Sequence, residues 1–254
     1  QQRHPFLAHV EYWLHGKMRL LIGNSAAIVN ELKGETAGKT VPVQLILNGI
    51  STDTFANPKP SAKLRSEINV PDNALLIVLI ANLIPYKGHV DLLNALHIVA
   101  DQIPDPWRLI CVGRDDGPLE SLKTQAKNLN IAGHIIWLGQ RTDVPDVLCA
   151  SDIGVLPSHE EGLSNAVLEG MAASLPMVVT NVGCNAELVV NGKTGLVVPA
   201  HTPSDLGRAI VTLAVDAPRR HAMGTAARER LMRKFSITDC VQNYRQAYMS
   251  LRLT

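Results

Sequence analysis

The chain has 254 residues, which is enough for one large or two smaller domains, and 46% of them are hydrophobic, which is ample for a packed core. A formal net charge of only +1 gives no support to nucleic acid or an anionic membrane surface as a partner. The longest apolar run, Ala74 to Ala81, is too short to cross a bilayer, and the four cysteines form no CxxC pair, so we expect reduced thiols and a cytoplasmic compartment.

The first fifty residues alternate helical and strand patterns. The helical patterns cover Phe6–Lys17 and Ala26–Leu32, and the strand patterns cover Arg19–Gly23 and Val43–Leu47. Two strands are too few for an independent doubly wound domain. We therefore expect residues 1–50 to be the remnant of a larger domain whose earlier part is absent.

A polar segment at residues 51–63 separates this region from the rest of the chain. It contains Pro58 and Pro60, which disfavour regular secondary structure. Composition and position together predict an inter-domain linker.

From about residue 75, short apolar runs alternate with helical patterns such as Val90–Gln102 and Pro118–Leu129. The predicted strands are Leu75–Ala81, Arg108–Val112, His134–Leu138, Ile153–Leu156, Pro176–Thr180 and Gly195–Val198. Alternation of this kind implies crossover connections and a parallel sheet buried on both faces. We expect an α/β fold with a doubly wound, Rossmann-like parallel sheet, which binds ligands at the carboxyl ends of its strands.

The chain ends in a predicted helix. Ser236 is a suitable N-cap, and the apolar residues that follow at helical spacing are Ile237, Val241, Tyr244, Tyr248 and Leu251. Such a face is expected to pack against another part of the protein.

The loop after the strand Ile153–Leu156 has the most informative pattern. Glu161 and Glu169 are eight positions apart, and a helix is predicted to begin near Leu163 or Ser164. A helix start binds anions because its first N–H groups are unpaired and the macrodipole favours negative charge. A diphosphate on this helix start, with carboxylates on either side for hydroxyl groups, matches the layout of a sugar nucleotide.

Taken together, the motifs resemble those of the retaining glycosyltransferases of family 4, which have the GT-B fold. The segments that carry the resemblance are Gly23–Ser25, Leu47–Ile50, Pro85–Gly88, Val112–Gly113, Leu138–Gly139, Pro157–Ser158, Glu161–Asn165, Glu169, Asn181–Gly183, Glu187–Leu188, Asn191–Gly195 and Phe235–Ser236. The resemblance implies two Rossmann-like domains with a cleft between them. Residues 1–50 would belong to the incomplete acceptor-side domain, residues 64–235 would hold the nucleotide-sugar donor, and residues 236–254 would cross back to the first domain.

The resemblance also implies roles for single residues. It assigns Glu161 to the hydroxyl groups of the donor hexose, Glu169 to the ribose, and Lys87 to the phosphate charge. The diphosphate would lie on the backbone amides after Gly162, at Leu163, Ser164 and Asn165.

One expected cation is missing from this pattern. The family commonly has an arginine five positions before the lysine, where this chain has Asn82, and Arg114 could supply the charge instead. The loops at 113–115 and 140–142 would border the base. The donor-site residues in or near these loops are Gly88, Gly113, Arg114 and Arg141. Gly88 and Gly162 suit close backbone approach or a special dihedral angle.

Each of these residues also has a plainer interpretation. Glu161 and Lys87 could be solvated loop residues, Glu169 could lie on a helix surface, and Arg114 and Arg141 could be surface charges. A lone loop histidine such as His159 is usually just solvated or hydrogen bonded. The other histidines considered as metal ligands are His89, His97 and His134, and their scattered spacing predicts no metal site.

Three hypotheses about function follow. In the first, the chain transfers a hexose from a nucleoside diphosphate sugar to an acceptor hydroxyl with retention, and needs no metal or other cofactor. In the second, it is a nucleotide-sugar-binding module, either a fragment or one subunit of a split enzyme. In the third, prompted by Asn82, it is a degenerate relative kept as an interaction surface.

The expected partners are the nucleotide sugar and a saccharide or lipid-linked acceptor. Such an acceptor would bring the protein to the inner face of a membrane as a peripheral component. A separate N-terminal half or a second copy of the chain is also an expected partner, because residues 1–50 and the last helix would expose apolar faces.

Overall fold

The computed structural model describes residues 13–56 and 61–252. Most of the helix predicted at Phe6–Lys17 lies outside these residues, as do Pro58 and Pro60. No helix among the described residues is both long and apolar enough to span a bilayer.

The described strands form two parallel sheets. They are β1 (Leu21–Gly23), β2 (Val43–Leu45), β3 (Leu75–Ile80), β4 (Trp107–Val112), β5 (Ile135–Gly139), β6 (Ile153–Leu156), β7 (Met177–Thr180) and β8 (Gly195–Val198). The small sheet pairs β1 with β2, and the large sheet has the order β5-β4-β3-β6-β7-β8. All neighbouring strands run parallel, which confirms the predicted α/β class and doubly wound sheet.

Helices connect these strands. They are α1 (Ala26–Glu35), α2 (Ser61–Glu67), α3 (His89–Val99), α4 (Leu119–Asn128), α5 (Val144–Cys149), α6 (Asn165–Ala172), α7 (Asn185–Leu188), α8 (Pro203–Ala214), α9 (Ala217–Lys234) and α10 (Ile237–Arg252). The core of the large sheet is continuous and apolar, as expected for strands that are covered on both faces. In β3, for example, the residues from Leu75 to Leu79 are buried.

The chain divides into two compact units. Within the described residues, one unit consists of 13–50 with 235–252, and the other of 51–234. The acceptor-side and donor-side roles of these units remain predictions.

The segment predicted as a linker, residues 51–63, is partly structured. A 3-10 turn at Asp53–Phe55 buries Phe55 and packs against α5, and α2 begins at Ser61. Sequence reasoning overlooked this because Phe55 is a single large apolar residue in a polar stretch, and its burial depends on contacts distant in sequence.

The last helix begins as predicted, but it packs through only part of the predicted face, because Tyr244 and Leu251 are half-buried and the other three residues are exposed. Ser236 Oγ accepts a hydrogen bond from Asp239 N at 3.3 Å, which is the predicted N-cap. Ile237, Val241 and Tyr248 are 41%, 59% and 63% exposed, whereas Ala247 is 2% exposed. The buried side therefore centres on a small residue, which the search for large apolar side chains did not detect.

Candidate functional site

The candidate site lies where the large sheet reverses its direction of winding. The chain passes from β3 to β4 and β5 on one side, and then returns to place β6 on the other side of β3. The loops after β3 and β6 therefore leave neighbouring strand ends in opposite directions. Such a switch point forms a crevice at the carboxyl edge of a parallel sheet, where ligands bind in this type of fold.

Lys87 and Glu161 meet in this crevice. Lys87 ends the 3-10 turn Pro85–Lys87 after β3, and its Nζ donates to Glu161 Oε1 at 2.6 Å. Ser158 Oγ donates to the same oxygen at 2.7 Å. The Glu161 side chain is 8% exposed, and within the described part of the chain its second oxygen, Oε2, has no hydrogen-bond partner. One carboxylate oxygen is thus held in place while the other remains available.

Close backbone contacts fix this loop. Gly88 has a φ of 74°, and a Cβ atom at this residue would lie 2.0 Å from Pro157 O. Gly183, with a φ of 51°, would place a Cβ 1.9 Å from Glu161 O. Both glycines are therefore required by conformation and by space. The predicted special dihedral angle is found at Gly88 but not at Gly162, which has no left-handed φ and no atom within 4 Å of its Cβ position.

The helix after this loop begins at Asn165, close to the predicted start. The buried Ser164 is its N-cap, and Ser164 Oγ accepts from Val167 N at 3.4 Å. Among the described residues, the N–H groups of Leu163, Ser164, Asn165 and Ala166 have no acceptor. These unpaired donors, with open space at Gly162, have the geometry that the predicted anion site requires, and anion binding here remains a prediction.

Glu169 lies one turn into α6 and is half-buried. Burial raises the pKa of its carboxyl group above the ordinary value for glutamate. The side-chain oxygens have no hydrogen-bond partner among the residues that the structure describes. A partly desolvated, unpaired carboxyl group can accept hydrogen bonds from a ligand.

The two arginines are engaged by carboxylates near them. Arg114 Nε donates to Asp116 at 2.7 Å, and Arg141 donates to Asp143 at 2.7 Å and to Glu67 at 3.1 Å. These bonds hold each guanidinium group against neighbouring acids. The hydrogen bond to Asp143, in particular, raises the pKa of Arg141 above its ordinary value. The contribution of either arginine to phosphate binding remains a prediction.

Asn82 and Gly113 join the loops after β3 and β4. Asn82 Oδ1 accepts a hydrogen bond from Arg114 N at 3.1 Å, and a Cβ at Gly113 would lie 2.0 Å from Ala81 O. Asn82 therefore has a structural contact in the position where an arginine was expected.

A cavity of about 410 Å³ opens beside these loops. Its lining comes mainly from the ends of β4 and β5 and from the residues that follow: Leu83, Cys111, Gly113, Asp115, Leu119, Lys123, Trp137, Leu138 and Gly139. The loop at 113–115, predicted to border the base, lines this cavity in part, whereas the loop at 140–142 does not.

Two features of the site were missed by sequence reasoning. Ser158 was quoted as part of a motif but given no role, although it holds Glu161 Oε1. His159 was expected to be solvated or hydrogen bonded, and its Nε2 does lie 2.9 Å from Asp91 Oδ2, but its ring contact with His201, 3.9 Å between centroids, was not predicted. Asp91, His159 and His201 come from a helix and two loops that are distant in sequence, so no spacing in the sequence could have indicated their contact.

The fold is that of the GT-B glycosyltransferases. A structure of Anabaena Alr3699/HepE in complex with UDP and glucose has a TM-score of 0.86 and 24% identity, and the match covers 95% of this chain and 66% of that one. A sucrose-phosphate synthase from Thermosynechococcus elongatus has a TM-score of 0.84 and 23% identity, over 99% of this chain and 63% of that one.

The amino-acid sequence identifies the family to which this chain belongs. The model of the family described as "Glycosyl transferases group 1" matches residues 60–230, and the chain belongs to this family.

Among curated relatives, the lipopolysaccharide core biosynthesis mannosyltransferase LpsB of Rhizobium meliloti (strain 1021) is 28% identical, over 93% of this chain and 69% of its own length. A GDP-mannose-dependent alpha-(1-6)-phosphatidylinositol monomannoside mannosyltransferase of Mycobacterium tuberculosis is 30% identical, over 76% of this chain and 52% of its own length. The chain therefore spans between about half and two thirds of the length of these relatives.

Proposed function

We propose that this chain binds a nucleoside diphosphate sugar and takes part in transferring its hexose to an acceptor hydroxyl, with retention at the anomeric carbon. The observation that carries this proposal is the Lys87–Glu161 ion pair, 2.6 Å long, in the crevice ahead of the start of α6. The pair places a cation for phosphate beside a carboxylate for sugar hydroxyls. The free N–H donors at the start of α6 follow in the same loop.

The diphosphate would bind between Lys87 and the first N–H groups of α6. During transfer, negative charge develops on the leaving diphosphate, and fixed donors aimed at that charge lower the barrier. The N–H groups of Asn165 and Ala166 are already fixed by the first turn of α6, so they need no reorganisation. This arrangement supports a transfer in which the protein, and not a metal ion, stabilises the leaving group.

The two glutamates would then hold the two ends of the donor. Glu161 keeps Oε2 available for a hexose hydroxyl while Lys87 and Ser158 hold Oε1. Glu169, unpaired and half-buried in α6, would accept hydrogen bonds from the ribose. The base would occupy the cavity of about 410 Å³ at the ends of β4 and β5.

The donor sugar and the acceptor are proposed only as classes. The relatives described above include mannosyltransferases of lipopolysaccharide and phosphatidylinositol mannoside synthesis, and a further relative is an Escherichia coli galactosyltransferase described as acting from UDP-Gal on a diphosphoundecaprenol-linked sugar. These names support a saccharide or lipid-linked acceptor. For this chain we propose such an acceptor, which would place the protein peripherally at the inner face of a membrane.

The test is to measure donor binding and turnover separately in Glu161→Ala. Calorimetric titration with UDP, GDP and ADP sugars identifies the donor, and release of nucleoside diphosphate then reports turnover. We expect the variant to retain affinity for the bare nucleoside diphosphate and to turn over much more slowly than the wild type. Turnover at the wild-type rate in Glu161→Ala would remove Glu161 from the mechanism and leave the proposal without its main support.

The chain aligns with only part of its relatives' length, which favours a second candidate function. It aligns with as little as 52% of a relative's length, and in this candidate it is a nucleotide-sugar-binding module, either a fragment or one subunit of a split enzyme, without transfer activity on its own. Saturable donor binding with no transfer would support this module. Transfer by the chain alone would exclude it.

A further inference from the structure

We propose that Asp91, His159 and His201 form a binding site for a divalent transition-metal ion of the Zn²⁺ type. One potential ligand atom from each residue lies within 4.8 Å of those of the other two. Two imidazole nitrogens and one carboxylate oxygen are a common ligand set for zinc in proteins, with a water molecule in the fourth position. The inference is separate from sugar transfer and does not depend on it.

The three ligands come from three connections at the carboxyl edge of the large sheet. Asp91 is in the first turn of α3, His159 is in the loop after β6, and His201 lies between β8 and α8. Asp91 is therefore held by a helix, and the two histidines each lie three residues after the end of a strand. The backbone of His159 is held as well, because its main-chain N–H donates to Tyr86 O at 2.7 Å.

The distances can be compared with those of a zinc site. A tetrahedral zinc site with bonds of about 2.0–2.1 Å places its ligand atoms about 3.4 Å apart. Here His159 Nε2 and Asp91 Oδ2 are 2.9 Å apart, and the ring centroids of His159 and His201 are 3.9 Å apart at an angle of 40°. To bind one ion, the hydrogen-bonded pair would open slightly and the exposed His201 ring would rotate out of its contact with the His159 ring.

The backbone at His201 supports a positioned ligand. His201 has a φ of 57°, in the left-handed region that few residues other than glycine adopt. The residue is exposed, whereas Asp91 and His159 are half-buried, so an ion could enter from solvent and meet two ordered ligands.

The consequence of occupancy would be local. His159 is two positions from Glu161, so an ion shared with Asp91 and His201 would fix the loop that carries the candidate donor-binding carboxylate. We expect Zn²⁺ to raise the thermal unfolding temperature, because a ligand that binds only the folded state stabilises it. The ion would be structural and would not contact the diphosphate.

The experiment measures Zn²⁺ binding to the whole, untagged chain by calorimetry after treatment with a chelator. The variants are His201→Asn, in which asparagine tolerates the left-handed φ, and Asp91→Asn, and the matched control is His221→Asn at an exposed histidine of α9. Loss of a mere outer-shell partner weakens metal binding by about 10–100-fold, so we expect at least about a tenfold loss in each ligand variant. The control should bind as the wild type does.

Cobalt distinguishes this site from the thiols. Cys149 and Cys240 are free and half-buried, and a Co²⁺ complex of either would show an intense sulfur-to-metal charge-transfer band. One equivalent of Zn²⁺, lost in both ligand variants, and a Co²⁺ spectrum without that band would support the proposal. The absence of saturable binding, unchanged affinity in either ligand variant, or a thiolate band at one equivalent would overturn it.

Discussion

Lys87 Nζ and Glu161 Oε1 are 2.6 Å apart although 74 residues separate them along the chain. Their side chains are 20% and 8% exposed, so both charges are largely removed from water. Removing one partner of such a pair leaves the other charge poorly solvated. The pair is therefore expected to link donor binding with local stability, and its two members should behave differently when each is replaced.

Lys87→Ala should weaken binding of the bare nucleoside diphosphate, because it removes the cation that is paired with Glu161 in the loop before α6. A charge-assisted hydrogen bond contributes about 1.5–3 kcal/mol, which corresponds to roughly a 10- to 100-fold loss of affinity. Glu161→Ala should affect the bare diphosphate far less than the sugar nucleotide. Calorimetry with both ligands checks this, and equal losses for both ligands in Glu161→Ala would contradict it.

Glu169→Gln should weaken donor binding and yet stabilise the ligand-free chain at neutral pH. Burial raises the pKa of Glu169, so the folded state disfavours the charged form. The stability that this group contributes is present below its ordinary pKa of 4.5 and is lost as pH rises through the raised folded value. At pH values above the raised folded pKa, the neutral glutamine does not carry the cost of a buried negative charge. For binding, we expect about a tenfold loss of affinity for the sugar nucleotide.

Urea unfolding at several pH values between about 4 and 8 measures the stability effect. The stability gain of Glu169→Gln over the wild type should grow as pH rises through the window and then stay level. Glu229→Gln, at an exposed position of α9, is the control and should show no such dependence. A gain that is constant with pH would show that the charge of Glu169 is not its source.

Gly88→Ala should destabilise the chain and disturb the donor site together. The residue has a left-handed φ, and its new Cβ would lie 2.0 Å from Pro157 O, which is backbone and can move only with the loop of Glu161. Backbone strain and overpacking each cost about 1–3 kcal/mol, so we expect a loss of at least about 2 kcal/mol. Gly133→Ala is the matched control because no atom lies within 4 Å of its Cβ position. The midpoints of urea unfolding compare the two, and equal midpoints would refute the role given to Gly88.

The large sheet was well predicted from sequence. Each of its six strands ends within one residue of the predicted boundary, as at Leu75–Ile80 against the predicted Leu75–Ala81. Buried parallel strands are continuous apolar runs, so local composition is enough to locate them. The start of α6 was found for a related reason, since a capping serine and a preceding loop are also local signals.

The contacts between distant loops were much harder to predict. The resemblance assigned roles to Lys87 and Glu161 separately, but nothing in the sequence stated that the two would be hydrogen bonded. His201 had no motif at all, and its meeting with His159 depends on how far apart β6 and β8 lie in the sheet. Such contacts result from tertiary packing, which short-range patterns do not encode.

Ser158→Ala should lower turnover through its effect on Glu161. The Ser158 side chain is completely buried, and its Oγ donates to Glu161 Oε1 at 2.7 Å, so it fixes which oxygen faces the ligand. Loss of one such bond to a charged acceptor is worth about 1.5–3 kcal/mol, which would reduce kcat roughly 10- to 100-fold if it is realised in the transition state. Binding of the bare nucleoside diphosphate should be unchanged.

A positioning role and a general packing defect are separated by a double variant and a control. In a Glu161→Ala background, Ser158→Ala should have no further effect on turnover, because the group that it positions is absent. Ser151→Ala removes a comparable bond, from Ser151 Oγ to Val147 O at 2.8 Å, and should leave kcat unchanged. A residue that works only by orienting one carboxylate cannot matter once that carboxylate is gone. If Ser158→Ala instead lowered turnover equally with and without Glu161, the serine would act on the fold as a whole.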